Sequence, residues 1–401
     1  MSSTSVTDST VCYLRPVSSR TELLDPTMRH DSIIDISVQS LQDIGELEAS
    51  WKELEARAPH SFYLSWLWIG TWLRHLPKRA EPYLIVARTS GRIVGLAIVC
   101  RRTAWRLRPQ ARVRWLLHET GDVRFDRLFI EHNGILADRS SASAVVPACL
   151  ETFMRRLHSS DELILSGIDS ATMHAAREAT RPVGLAVEVQ LADAAPWVDF
   201  SEVRRKGGDY RATLGRNTRQ AVSRSMRLYA ERGDIEHRVV ETVSDALVAF
   251  GELIDFHRSR WGRKGPFANS GFRSFHEDLI ARGVPSGAVR ISRTVVGEQI
   301  IGILYNFVHQ GHVLNYQSGF FYERDARLKP GLVSHVLAIE NSLQRGEQGY
   351  DFLAGPAGHK SRLANAECTL TWIAVGKDSL EHRIEAGIRL TRRKLRAMVG
   401  R

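Results

Sequence analysis

The sequence predicts an α/β protein built from two units of like architecture. Three observations predict it. The 401 residues suffice for two ordinary domains, and a composition 43% hydrophobic and 25% charged lets each bury a core. The same order of signals (helix, tight hairpin, helix, closing strand) occurs once in each half. Between the halves lies an arginine-rich helix that repeats neither.

In the first half, Leu41, Ile44, Leu47, Trp51 and Leu54 fall at helical spacing within Leu41–Ala58. Tyr83–Ala87 and Ile93–Val99 read as two strands of a hairpin, turned at Thr89–Ser90–Gly91. Ala144–His158 reads as a helix and Glu162–Gly167 as a strand. In the second half, helices are expected near Asp245–Trp261 and Phe272–Arg282. A hairpin is expected at Ala288–Ser292 and Ile300–Val308, turned near Gly297. A strand at His312–Gly319, a helix at Gly331–Gln344 and a closing strand at Tyr350–Gly355 follow. The turn strings Gly91–Arg92–Ile93–Val94–Gly95 and Gly297–Glu298–Gln299–Ile300–Ile301–Gly302 look alike, so the repeat predicts an internal duplication. The expected divisions are a polar, disordered tail 1–31, a first unit 32–195, a basic linker helix 196–236, a second unit 237–378 and a basic C-terminal helix 379–401.

The formal charge is +10, from 55 basic and 45 acidic residues. It is concentrated in two places: Glu202–Arg232 and Arg383–Arg401 each sum to +6, which leaves the rest of the chain at about −2. On a helical wheel, Arg216, Arg219, Arg224 and Arg227 form a stripe opposite Leu214, Val222 and Tyr229, and guanidinium forks suit phosphate or carboxylate. The four cysteines are scattered, which excludes a zinc ribbon, and no metal is expected. No apolar run approaches the ~18 residues of a membrane span, and no secretory signal is evident. A cytoplasmic location is expected, with 383–401 suited to an anionic membrane surface.

Three further motifs carry chemistry. Asp255–Gly262 ends a helix with His257, Arg260 and Trp261 beside a Gly-rich loop. Leu314–Gly319, followed by Arg327–Leu328–Lys329–Pro330–Gly331, makes a strand, a loop and a helix start. Pro suits that first turn, and its free N–H groups with Arg327 and Lys329 offer a cradle for pyrophosphate. Gly349–Arg362 is a strand that stops at a Gly–Pro turn and delivers His359 and Lys360, with Asp351 on the sheet face opposite Phe352. Ligands collect at that edge of α/β sheets.

In order and spacing these motifs resemble the CelD-like proteins of cellulose biosynthesis, members of the GNAT superfamily related to tandem-GNAT, FemAB-like transferases. Phe256–Trp261, the arginine helix Thr213–Arg232 and the Trp-rich Ser65–Trp72 fit the same pattern, over roughly Ser40–Val375. The resemblance implies two tandem GNAT-like domains and an acyltransferase, with acetyl-CoA or another acyl-CoA as donor. Leu314–Gly319 and Tyr350–Gly355 would then be a splayed strand pair. Arg327, Lys329, Gly331, Ser318 and Gly319 would hold the donor, and His359, Tyr316 or His257 would act as acid or base. Arg260, Trp261, Asp351, Lys360, Arg216 and Arg219 would meet substrate. The acceptor would be a saccharide or other small molecule, within a polysaccharide-synthesis assembly. The sequence departs from the superfamily's Q/R-x-x-G-x-G/A pattern, with Pro330 and Leu332 at the two glycine positions. It also has His359 where a tyrosine is more usual. Two other readings fit the same fold: an aminoacyl-tRNA-dependent transferase that meets RNA through the arginine stripe, and a degenerate scaffold.

Overall fold

The computed structural model describes residues 33–104, 112–122, 124–262, 267, 269–355, 358 and 360–377. The described residues form two compact units, 33–193 with 369–377, and 194–368. The expected boundaries differ from these at two points. The arginine helix packs within the second unit, because its apolar residue Val222 joins that unit's core. The chain's last described strand belongs to the first unit.

The first unit begins with β1 (Ile34–Ser40) and α1 (Ile44–Glu55), whose N-cap Asp43 accepts from the N–H groups of Gly45 and Glu46. The Trp-rich stretch forms α2 (Trp66–Arg74), capped by Ser65. Then come β2 (Glu81–Thr89), β3 (Arg92–Ala104), β4 (Arg112–Leu117), β5 (Leu136–Ala137), α3 (Ala142–Met154), β6 (Glu162–Ile168) and α4 (Ser170–Thr180).

The second unit takes the end of β7 (Ala186–Asp199) and then α5 (Phe200–Arg205), α6 (Tyr210–Thr213), α7 (Arg216–Ala230) and β8 (Ile235–Val239). It continues with α8 (Val243–Trp261), α9 (Ser270–Gly283), β9 (Val289–Val296), β10 (Gln299–His309) and β11 (His312–Phe320). Last come α10 (Pro330–Gln344), β12 (Gly349–Asp351) and α11 (Lys360–Leu363), before β13 (Ala366–Gly376) returns to the first unit.

The two units repeat strand for strand. The orders are β1-β2-β3-β4-β6-β13 and β8-β9-β10-β11-β12-β7. In each, three antiparallel pairs lead to one parallel pair, β4–β6 or β11–β12, and an antiparallel strand closes the sheet. Each closing strand is supplied by the neighbouring half of the sequence. This repeated order is the one the turn strings pointed to, with the last strands exchanged.

Local chemistry explains the hairpins. Ser90–Gly91 and Gln310–Gly311 each place two residues at positive φ, the two-residue turn whose twist matches that of the strands. The repeated glycines serve one purpose in both units. A Cβ on Gly95 would lie 2.6 Å from Val145 of α3, and one on Gly302 would meet Ser334 of α10. Each glycine lets the helix that follows settle onto the middle of its sheet. The expected strand Tyr350–Gly355 is shorter than predicted, since β12 ends at Asp351 and the chain turns at Leu353 with φ 59°.

Gly95→Ala should therefore destabilise the first unit by about 1–3 kcal/mol through overpacking. A urea denaturation series measures it, and an unchanged midpoint would refute the close-approach role.

Candidate functional site

The sheet of the second unit parts. β11 and β12 pair only across His312–Leu314 and Gly349–Asp351, and β11 then runs on to Phe320. β12 stops because the next turn is non-extended. The Asp351 carboxylate, 1% exposed, accepts the Leu353 N–H at 2.7 Å, and the Lys360 ammonium donates to the carbonyls of Leu353 (3.2 Å) and Ala354 (2.9 Å).

Beside the far end of β11 lies a cavity of about 920 Å³, within the usual range for ligand pockets. α7 contributes Asn217, Thr218 and Ala221, and α8 contributes Arg260. The end of β11 and the following loop contribute Phe320, Tyr322 and Glu323. The start of α10 contributes Lys329 to Leu332, and α11 contributes Arg362. Among the described residues three cations thus face one carboxylate, and that carboxylate already pairs with Arg232 at 2.8 Å. Arg260 lies over the Tyr322 ring, 4.2 Å from its centroid.

α10 begins with Pro330, which has no N–H to offer. The N–H groups of Gly331 and Leu332 fall in the first turn, where no intrahelical acceptor exists. The Lys329 N–H is held by the buried Ser225 hydroxyl of α7 at 2.9 Å. A Cβ on Gly331 would sit 3.0 Å from the Phe320 ring, so β11 and the helix start approach closely here. Cations and first-turn N–H groups on one wall suit a phosphate-bearing ligand. The departure at Pro330 and Leu332 therefore removes one donor and leaves two.

Among the described residues, the structure brings Lys329, Gly331 and Arg260 together on this cavity, but not the other described site residues expected from the sequence. Arg327 turns outward into a two-bond ion pair with Asp325. Gly319 faces α8, where a Cβ would meet Phe256, and Ser318 donates to Asn315. Asp351 and Lys360 are engaged in the turn after β12. α7 gives the cavity its Asn217–Thr218 side, so Arg216 and Arg219 face elsewhere, and Arg219 donates to the Ala212 carbonyl.

Tyr316 is buried away from the cavity wall. Its hydroxyl lies 3.2 Å from Nε2 of the fully buried His276, whose Nδ1 lies 3.0 Å from the Tyr305 hydroxyl. Both ring nitrogens of His257 are buried, and the ring packs on Phe267 beside the Ser318 backbone. Burial pushes its pKa down to about 4. His359, the Trp261 side chain and the C-terminal basic helix 379–401 lie outside the described residues. Sequence reasoning passed over Arg362, although it ends the Gly349–Arg362 string, and it missed Tyr322, Glu323 and Asn217, which no pattern marks.

The first unit has the same parting, but the chain itself fills it. β4 and β6 pair across Arg114–Leu116 and Glu162–Ile164. Beyond that, Asn133 bridges the two strands. Its N–H donates to the Gly167 carbonyl and its Nδ2 to the Leu117 carbonyl, each at 3.0 Å. A Cβ on Gly167 would lie 2.6 Å from the Ile130 carbonyl, so only glycine admits this segment. His118 locks it: Nδ1–H donates to Asn133 Oδ1 at 2.8 Å, while Nε2 accepts the Ile98 N–H at 3.1 Å. Burial pushes the His118 pKa down to about 4. Next to it, burial pushes Glu119 up to about 8, and the Ser166 hydroxyl donates to its carboxyl group.

Residues 216–361 match the acetyltransferase (GNAT) domain family. That stretch starts at α7 and ends in α11, and so holds nearly the whole cavity wall. Solved structures of the same fold include FemX, with a TM-score of 0.54 at 10% identity, covering 84% of this chain and 96% of that one. L-PGS from Bacillus licheniformis has a TM-score of 0.52 at 12% identity, covering 88% of this chain and 98% of that one. These likenesses are of fold, and they extend over both units. A comparison with curated proteins finds no match. Among the described residues, no helix is long and apolar enough to cross a membrane.

The histidines set a pH dependence. His118, His237 and His257 all have folded pKa values pushed down to about 4, with burial the first cause in each. The unfolded chain binds their protons near pH 6.5 and the folded chain does not. Their neutral state is favourable above pH 6.5, and stability falls as pH drops from there towards 4. Urea midpoints should fall across that window, and less steeply in His257→Leu; equal slopes would contradict this account.

Proposed function

We propose that the chain is an acyltransferase whose donor, an acyl-CoA, binds in the cavity of the second unit. The observation that carries this reading is the parted β11–β12 pair beside a cavity whose wall combines Arg260, Lys329 and Arg362 with the first turn of α10. In a GNAT domain the donor supplies a thioester carbonyl to an attacking amine or hydroxyl. Here Lys329, Arg362 and the N–H groups of Gly331 and Leu332 would hold its phosphates. The edge of β11 beyond Leu314, which has no β12 partner there, would offer backbone N–H groups to the carbonyl oxygen as charge develops. Glu323 is the cavity's one carboxylate among the described residues, and its bond to Arg232 fixes it on the wall. We assign it to take the acceptor's proton, and His359 to protonate the leaving thiolate. The resemblance to CelD-like proteins supports a saccharide or related envelope precursor as acceptor, and a cytoplasmic site of action near the membrane face.

A second reading rests on α7. Arg216, Arg224 and Arg227 are exposed, and no ion pair reaches them among the described residues. A stripe of that kind could meet RNA phosphates, as an aminoacyl-tRNA donor would require.

Calorimetry separates the two. Acetyl-CoA should bind with one site per chain, because Asn133 fills the parting of the first unit. Arg362→Met should weaken binding about 10-fold or more, the weight of a charge-assisted hydrogen bond. Two sites per chain, or no binding, would contradict the proposal. Salt-sensitive binding of tRNA without acetyl-CoA binding would favour the second reading.

A further inference from the structure

The turn after β12 is built unlike any other among the described residues of the second unit. Leu353 is a buried, branched residue held at φ 59°, a conformation that L residues other than Asn and Asp seldom adopt. Gly355 follows at φ 122°, open in practice only to glycine. Two charged side chains hold the turn from opposite sides. The buried Asp351 carboxylate takes the Leu353 N–H, and the half-buried Lys360 ammonium takes the Leu353 and Ala354 carbonyls. Such strain persists only where the surroundings over-determine it.

Lys360 also opens α11. Its own carbonyl accepts the Ala364 N–H at 3.0 Å, and the Leu363 carbonyl at the other end of that helix accepts the Tyr210 hydroxyl at 2.7 Å. Between these two anchors, Arg362 projects to the cavity wall. A four-residue helix has too little cooperativity to hold itself. Its position therefore depends on its end contacts, and one of them is the Lys360 clamp.

We infer that Asp351 and Lys360 are positioning residues: they fix the turn after β12, and through α11 they aim Arg362 at the ligand in the cavity. The sequence pattern pointed to both as substrate contacts. The geometry points to a different task, because Asp351 Oδ1 and the Lys360 ammonium bond backbone groups of the turn. The inference rests on the acyl-donor reading only for the identity of the ligand that Arg362 meets.

Two measurements test it. Hydrogen exchange reads the clamp without any ligand. In Lys360→Met and Lys360→Gln, the amides of 361–365 should exchange about tenfold faster or more, with β9 and β10 unchanged. In Arg362→Met they should exchange at the wild-type rate. Calorimetry with acetyl-CoA then reads the consequence. Lys360→Met should weaken binding, and Lys360→Met with Arg362→Met should bind no more weakly than Arg362→Met alone, because both act through one contact. Unchanged exchange in both Lys360 variants would overturn the clamp. Additive losses of affinity would show that Lys360 meets the ligand itself and would overturn the positioning role. If the wild-type chain binds no acetyl-CoA, the acyl-donor reading falls, and the exchange measurement still decides the clamp.

Discussion

Everything at the site depends on β11 and β12 pairing for three residues and then separating. Parallel strands in register leave no space between their backbones. Once they part, one strand edge is left with polar groups that need a partner, and the adjoining helix start can present its own N–H groups. The second unit enforces the separation locally. β12 stops at Asp351 because that carboxylate captures the Leu353 N–H and bends the chain out of extended conformation. β11 is held on its other side by β10 as far as Phe320, so it cannot follow. The parting is thus fixed by side-chain chemistry on one strand and by a continuous hairpin on the other.

The first unit shows the other solution to the same problem. Its strands part in the same place, and Asn133 uses one backbone and one side-chain N–H to satisfy carbonyls on both of them. His118 then orients Asn133 in the neutral form. The two copies share one topology and divide the labour. One parting is closed by the chain and contributes to stability, and the other opens beside a positively charged cavity. The basic balance divides in the same way. Arg260, Lys329 and Arg362 face the cavity, while the stripe on α7 is turned from it, because the opposite side of that helix supplies Asn217 and Thr218 to the wall.

Much of the fold was legible in the sequence because local signals dominate it. Ser90–Gly91 dictates its turn by backbone sterics alone, and α1 and α10 show their buried faces by periodicity. The exchange of β7 and β13 was not legible. Alternation in a strand says that one face is buried, and it cannot say which sheet the strand joins. In β13, buried Cys368 and Leu370 alternate with exposed Glu367 and Thr369, yet the strand goes on to pair with β6 of the first unit. Lys329, Gly331 and Arg260 line the cavity because a helix start and a helix end carry them there. Arg327 is captured by an aspartate two residues earlier. Tyr316 and His257 are of a type that suits acid–base chemistry, while their surroundings bury them. Spacing carries no information on burial, and burial decides what a titratable group can reach.

The central claim is that the donor enters the second unit alone, at the wall formed by β11, α10 and α11. Photocrosslinking with an acyl-CoA that carries a photoreactive acyl group, mapped by peptide mass spectrometry, tests it most directly. The account predicts labels within 315–332 and 358–363, abolished by excess acetyl-CoA. Labels within 33–193, or none at saturating donor, would contradict it.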